Sequence, residues 1–365
     1  MRVLICGGGT GGHIYPGLAL ARYLVKKNKE NVILFVGTSQ GLENEIIPNA
    51  GFKLEVIPVR AFNKRSLKEI SAASFELLRS LKQAREIIKR FKPDVVVGTG
   101  GYAAGPVVLA SRLQRVPVLI HEQNVVPGFT NRLLAGRVNR VCISFEETRA
   151  YLKKAKVKLT GNPRASEIGF LSREEGLKRL PELDGRRKTV LVFGGSRGAL
   201  QLNKVMVELI NRGDFPADIQ FLYITGELYY EDVIKELKKQ NSSVVVKPYL
   251  TDMPAALAAA ELVISRAGAT ALAEITVCGV PAVLVPSPNV AYNHQYYNAL
   301  LLEKEGAAVL IEEKDFTVQK LGEELKDFRE NSEVWQKMSH KSKKIGMPEA
   351  AEMFYQCILE EIIPR

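Results

Sequence analysis

A histidine closes a run of glycines close to the start of the chain: CGGGTGGH (6–13) follows MRVLI. Histidine gains and loses its proton near neutral pH, and a base of that strength is what an alcohol needs to become a nucleophile. Gly7, Gly9 and Gly12 fit the G-x-G-x-x-G of dinucleotide-binding turns, while Gly7 and Gly12 also fit the G-x-x-x-x-G of a P-loop. Each fit fails at a specific residue. A dinucleotide fold ends its second strand in an acid, roughly 20 residues beyond the glycines, to hold the ribose hydroxyls. Here NVILFVGTSQG ends its apolar run at Gly37 and Thr38, and the first acid beyond is Glu43. A P-loop continues with Lys and Ser/Thr, where this chain has His13 and Ile14. Neither NAD binding nor ATP hydrolysis is expected.

What remains is a strand, a glycine turn and a helix whose first N–H groups favour an anion or a partly negative oxygen. Such turns recur as GTGGYAAGP (98–106) and FGGSRGA (193–199). One turn of this kind is explained equally well as a tight strand-to-helix connection or as an anion site. Three of them at strand ends make a shared cleft the better reading.

The elements that position these turns are legible as alternating short apolar runs and helix-length segments. RVLICG, a helix at 17–27, NVILFVG (31–37), a long segment at 66–91, DVVVGTG (94–100), VPVLIHE (116–122) and RVCIS (140–144) make one βα series. The pattern restarts at Thr189 with TVLVFGG and continues through IQFLYITG (219–226), SVVVKPY (243–249), ELVISRAG (261–268) and PAVLVPSP (281–288). β-Branched runs buried on both faces imply parallel sheets flanked by helices. The expected fold is α/β, with two doubly wound Rossmann-like domains facing across a cleft. The polar stretch 172–188 reads as a linker or surface helix, and 347–363 as an amphipathic helix. The expected division is 1–163, 164–345 and a C-terminal helix, 346–365, packing back on the first domain.

Bulk composition agrees with two domains. The chain has 365 residues, 46% hydrophobic and 25% charged. MRVLIC lacks the features of a secretory signal, and no run of about 18 apolar residues occurs, so a cytoplasmic protein without a membrane span is expected. Four scattered cysteines (6, 142, 278, 357) and four scattered histidines (13, 121, 294, 340) offer neither zinc spacing nor a disulfide framework. No metal site and no cofactor are expected. The net charge of +11 favours an anionic partner without choosing among nucleic acid, phosphate-bearing substrate and lipid.

GGTGGHIYPGLALA (8–21), HEQNVVPG (121–128), TGNPR (160–164), FGGSRGA (193–199), SRAGATALAEI (265–275) and HQYYNA (294–299) together resemble the MurG-type transferases of peptidoglycan synthesis, in family order and over essentially the whole chain. The resemblance implies a GT-B fold and transfer of N-acetylglucosamine from UDP-N-acetylglucosamine (UDP-GlcNAc) to undecaprenyl-pyrophosphoryl-MurNAc-pentapeptide (lipid I), giving lipid II. It implies that Thr10, Gly11 and Gly12 approach the donor and that Asn124 meets its sugar. Ser196 follows as a contact to the pyrophosphate, Arg164 as a further substrate-binding residue, Leu250 as a backbone contact to uracil, and Ala269, Thr270, Ala271 and Leu272 as the helix start around the nucleotide. Glu274 takes the ribose hydroxyls and Gln295 reads the sugar. His13 is the candidate base, against the alternative that it only positions the acceptor, and His121 is expected to orient its loop. The sequence contains no Asp-x-Asp triplet of the kind that holds a metal on the pyrophosphate, so an inverting, metal-independent reaction is expected. Other readings are a UDP-sugar transferase acting on another lipid, an epimerase, and a non-catalytic nucleotide-sugar-binding protein.

The lipid acceptor requires contact with the cytoplasmic face of a membrane. Residues 58–92 carry ten Lys/Arg against three acids, with Phe62, Leu67, Ile70, Phe75, Leu78 and Leu81 interleaved. This is either a solvated basic helix or a peripheral face that meets anionic lipid. No nucleic-acid motif accompanies the charge, so no nucleic-acid partner is expected.

Overall fold

The computed structural model describes residues 1–59, 67–195, 198–238 and 241–362, with side chains described from Glu76 onward in the helix that begins at Leu67. The chain divides into two compact units, Met1–Glu167 together with the chain from Glu349 onward, and Ile168–Pro348.

The first unit is built on a parallel sheet of seven strands: β1 (Arg2–Gly7), β2 (Val32–Thr38), β3 (Lys53–Ile57), β4 (Val95–Gly100), β5 (Val118–Glu122), β6 (Arg140–Ile143) and β7 (Val157–Leu159). Their order is β3-β2-β1-β4-β5-β6-β7. The apolar runs are continuous because each strand buries both faces. Leu4 and Cys6 join a core with Ala84, Ile87 and Ile88 of the helix Leu67–Phe91. Val3 and Ile5 point the other way, onto Leu18, Ala21 and Leu24 of the helix Gly11–Lys27 and onto Phe354, Cys357 and Ile358 of the helix Ala350–Ile362. The C-terminal helix therefore completes the first unit, as expected. Arg140 pairs with Glu360 and Glu361, and Glu352 meets Lys27 and Tyr23.

The second unit has a six-stranded parallel sheet: β8 (Lys188–Phe193), β9 (Ile219–Ile224), β10 (Val244–Lys247), β11 (Leu262–Ser265), β12 (Ala282–Leu284) and β13 (Ala308–Leu310), in the order β10-β9-β8-β11-β12-β13. The polar stretch after Leu171 belongs to this unit. Ser172 and Glu175 form a reciprocal capping box that starts the helix Arg173–Arg179. Gly176 lets that helix approach Met253–Ala259 closely, since a Cβ there would stand 2.6 Å from the Ala255 carbonyl oxygen.

In both sheets the strand order reverses once, between β1 and β4 and between β8 and β11. At such a switch point the following connections leave in opposite directions and open a crevice beyond the carboxyl ends of the strands, where open α/β sheets bind ligands. The glycine turns sit there.

Candidate active site

At the first switch point the turn after β1 meets the turn after β4. Gly101 has φ +80°, and a Cβ on it would lie 2.4 Å from the Gly8 carbonyl oxygen, so only glycine permits the two turns to touch. Thr10 is extended (φ −138°, ψ 155°) and its carbonyl accepts from the backbone N–H groups of His13 and Ile14, which begins the helix at Gly11. The helix thus starts inside the glycine motif, six residues before its apolar periodicity becomes legible at Gly17. This puts Thr10, Gly11, Gly12 and His13 in one cap and first turn.

His13 is half-buried, and its Nδ1 lies 3.2 Å from the Gly8 carbonyl oxygen and 3.4 Å from Thr10 Oγ1. A carbonyl only accepts, so Nδ1 carries the proton of the neutral ring and Nε2 holds the lone pair. That is the tautomer a base needs.

The end of β5 supplies the second group. Glu122 is buried, and its Oε1 accepts from the Asn124 backbone N–H (3.0 Å) and side-chain amide (3.3 Å), while Oε2 accepts from Gly128 N–H (3.0 Å) and Asn131 Nδ2 (2.8 Å). Burial pushes its pKa up despite those donors. The carboxylate organises the loop that carries Asn124, and Thr148 Oγ1 donates to the Asn124 carbonyl (3.0 Å). His121 is fully buried; burial lowers its pKa to about 4. Gln123 Nε2 donates to its Nδ1 (3.1 Å) and to the Thr99 carbonyl (2.7 Å), leaving Nε2–H for the Gly161 carbonyl (3.1 Å). A neutral ring committed in this way orients its loop, as expected from sequence.

Arg164, placed by sequence at the start of the second domain, lies in the first unit on the short turn Pro163–Glu167. That turn packs on Gly11–Lys27 and on the C-terminal helix. The Arg164 guanidinium pairs with Glu167 at 2.7 Å and lies 5.7 Å from the centre of the Tyr15 ring.

At the second switch point, Gly194 and Gly195 follow β8, and Ser196 lies outside the described residues. Beyond β11 the chain turns at Gly268 into the helix Ala269–Cys278. Ala269, Leu272 and Glu274 are buried, while Thr270 and Ala271 are half-buried. Thr270 Oγ1 is buried with no hydrogen-bond partner among the described residues, an orphan hydroxyl at the helix start where the nucleotide is expected. Leu250, after β10, is buried. Gln295 Oε1 accepts from Ser287 N–H (2.9 Å), which fixes the orientation of the amide. Asn298 Nδ2, one turn along the helix His294–Lys304, donates to the Ala267 carbonyl (3.1 Å) and ties this helix to the turn after β11. A cavity of about 460 Å³ lined by Lys188, Glu261, Pro281 and Trp335 opens at the opposite, amino end of the same sheet.

Sequence reading passed over Glu122 and Gln123 as parts of a motif, and met Glu43 only as an acid in the wrong place for a ribose. The signal available for Glu43 was its place just after Gly37 and Gly41, two glycines on which a Cβ would collide with its side chain.

Two family models match the chain, "Glycosyltransferase family 28 N-terminal domain" over residues 3–143 and "Glycosyltransferase family 28 C-terminal domain" over residues 189–354. A protein of Thermoanaerobacter sp. (strain X514), named "UDP-N-acetylglucosamine--N-acetylmuramyl-(pentapeptide) pyrophosphoryl-undecaprenol N-acetylglucosamine transferase", is 45% identical over 363 residues, covering 98% of this chain and 99% of that one. Among solved structures, MurG of Acinetobacter baumannii superimposes with a TM-score of 0.79 at 29% identity, over 98% of this chain and 99% of that one. A UDP-GlcNAc 2-epimerase of Neisseria meningitidis, bound to UDP-GlcNAc, gives a TM-score of 0.67 at 16% identity over 99% of this chain and 100% of that one; it shares the fold.

Proposed function

The chain belongs to glycosyltransferase family 28, and we propose that it transfers N-acetylglucosamine from UDP-GlcNAc to lipid I, giving lipid II in peptidoglycan synthesis. One observation carries this reading: the 45% identity to a transferase of that name extends over 98% of the chain and so includes both glycine-turn sites.

The acceptor hydroxyl oxygen attacks the anomeric carbon while the bond from that carbon to the β-phosphate oxygen breaks. The hydroxyl proton passes to His13 Nε2, and UDP leaves. A single displacement of this kind inverts the anomeric configuration. Charge gathers on the departing pyrophosphate, and backbone N–H groups of the turn after β8, with Ser196, are the candidates for meeting it. Glu274 is assigned to the ribose hydroxyls, the Leu250 backbone to uracil, and Ala269, Thr270, Ala271 and Leu272 to the nucleotide's surroundings. Gln295 and Asn124 are assigned to the sugar, and Thr10, Gly11 and Gly12 to the approach of the donor. Arg164 is the least favoured member of the set, because its guanidinium is already paired with Glu167. The absence of Asp-x-Asp from the sequence supports a reaction that needs no metal.

The acceptor's polyprenyl chain requires a peripheral membrane contact on the cytoplasmic face. In the helix Leu67–Phe91, Leu77 and Leu78 are exposed, and Lys82, Arg85 and Lys89 follow Leu78 at helical spacing on the outer surface. Leu109, Leu113, Phe129 and Leu133 are further exposed apolar side chains of the same unit. Apolar groups beside cations favour an anionic interface. Among the described residues no helix is long and apolar enough to cross a membrane. Arg60, Phe62, Lys64 and Arg65 lie outside the described residues, as do the side chains of Leu67, Lys68, Ile70 and Phe75.

The test is purified protein with labelled UDP-GlcNAc and a lipid I analogue, with and without excess EDTA. Equal formation of lipid II and UDP in both arms is expected. Transfer only to a different lipid, epimerised donor without transfer, or donor binding without turnover would overturn the proposal. Activity that vanishes with EDTA and returns with magnesium or manganese would overturn its metal-independent part.

A further inference from the structure

Glu43 is 1% exposed, and among the described residues no Lys or Arg pairs with it. Its charge is met by hydrogen-bond donors instead. Oε1 accepts from Thr38 N–H (2.8 Å) and Thr38 Oγ1 (2.7 Å), and Oε2 accepts from Gly9 N–H (2.8 Å). The space is reserved for the carboxyl group: a Cβ on Gly8 would stand 2.2 Å from Oε1, and one on Gly41 1.9 Å from Oε2.

The Gly9 N–H and the Gly8 carbonyl belong to one peptide group. That group therefore gives its N–H to Glu43 and its oxygen to His13 Nδ1–H (3.2 Å). Hydrogen bonds in such a chain polarise one another, because a carboxylate drawing on the N–H raises the negative charge on the carbonyl oxygen at the other end. A histidine base is held in its tautomer, and made more basic, by what its second nitrogen donates to. Here the carboxylate stands one peptide away from the imidazole. The same bond commits Gly9 N–H, so the first glycine turn presents His13 and withholds that N–H from a phosphate.

We propose that Glu43 is a positioning residue that acts on His13 through the Gly8–Gly9 peptide, orienting the imidazole and raising its basicity. This rests on His13 being the base, so the test must be able to fail separately. Of the titratable groups on neighbouring elements, His121 at the end of β5 interacts electrostatically with His13 and is itself held neutral. Glu122, beside it, is committed to Asn124, Gly128 and Asn131. Burial holds His121 neutral and pushes the Glu122 pKa up.

The direct readout is the His13 imidazole pKa, followed by NMR in the free enzyme, for wild type, Glu43→Gln and Glu43→Asp. Glu43→Gln removes the charge at constant size and should lower the His13 pKa by about half a unit or more, and Glu43→Asp, which keeps the charge on a shorter stem, by less. In turnover, Glu43→Gln should lower kcat, leave KM for UDP-GlcNAc within about two-fold, and move the acid limb of the kcat profile to lower pH. Added to His13→Ala, it should cost less than about two-fold more, as two residues of one unit behave. An unchanged His13 pKa in a folded Glu43 variant overturns the proposal. Should Glu43→Gln not fold, Glu43→Asp decides by the same measurement. A shifted His13 pKa with a fully active His13→Ala leaves the relay standing and overturns His13 as the base.

Discussion

The imidazole of His13 rests on the α-carbon of Gly100: a Cβ there would stand 2.8 Å from His13 Cδ2 and 3.1 Å from Nε2. Together with the bond from Nδ1 to the Gly8 carbonyl, this contact sets both the tilt and the tautomer of the ring. Turnover should therefore depend on the end of β4 as much as on His13 itself. We expect His13→Ala to keep UDP affinity within a few-fold and to lower kcat by about 10²–10⁴, the usual span for a general base. Gly100→Ala, which displaces the ring and strains a backbone at φ +104°, should lower kcat without weakening UDP binding. Steady-state kinetics beside UDP titration check both, and a folded His13→Ala with near wild-type kcat removes this role.

Glu274 is assigned the ribose hydroxyls. Glu274→Ala should weaken UDP binding by roughly ten- to a hundred-fold, since a charge-assisted hydrogen bond is worth about 1.5–3 kcal/mol. Calorimetric titration with UDP measures it. The same affinity in the folded variant would contradict the assignment.

The basic face of the helix Leu67–Phe91 should govern association with lipid. Reversing Lys82, Arg85 and Lys89 to Glu should weaken binding to anionic vesicles by at least about ten-fold, at about 1 kcal/mol per charge near the surface. Activity on a soluble acceptor analogue should be retained, because these side chains are exposed and belong to no site element. Cosedimentation with vesicles of stated anionic content is the measurement, and equal binding by both proteins would argue against this face.

His121 makes the first unit sensitive to acid. Burial lowers its folded-state pKa from 6.5 to about 4. Between those values the unfolded chain binds a proton that the folded chain refuses, so stability falls as pH drops from about 6.5 and the loss is complete below about 4. At pH 5 it should amount to about 2 kcal/mol, from the displacement of about 1.5 units already incurred. Thermal melts at pH 7 and pH 5 should differ less for His121→Asn than for wild type, whatever its absolute Tm. An equal difference would place the acid sensitivity elsewhere.

The sequence by itself determined the parallel α/β halves, the glycine turns and the family, because these depend on local periods and residue types that need no partner. It also placed the C-terminal helix on the first domain. It did not reveal β3, β7 and β13, which are short edge strands; KLEVI has only one fully buried residue and so lacks the continuous apolar run of β4. It began the first helix at 17 rather than Gly11, since glycines carry no apolar period. Arg164 moved to the first unit because the turn around it packs there, a matter of contacts and not of composition. Above all, sequence could not assign Glu43 or Glu122. A buried carboxylate is defined by the donors it finds, and Glu43 finds Gly9, 34 residues away, only because β1 and β2 lie side by side in register and bring their carboxyl-end turns together. Residue types say that a base and a carboxylate are present; the pairing of strands decides that one peptide group joins them.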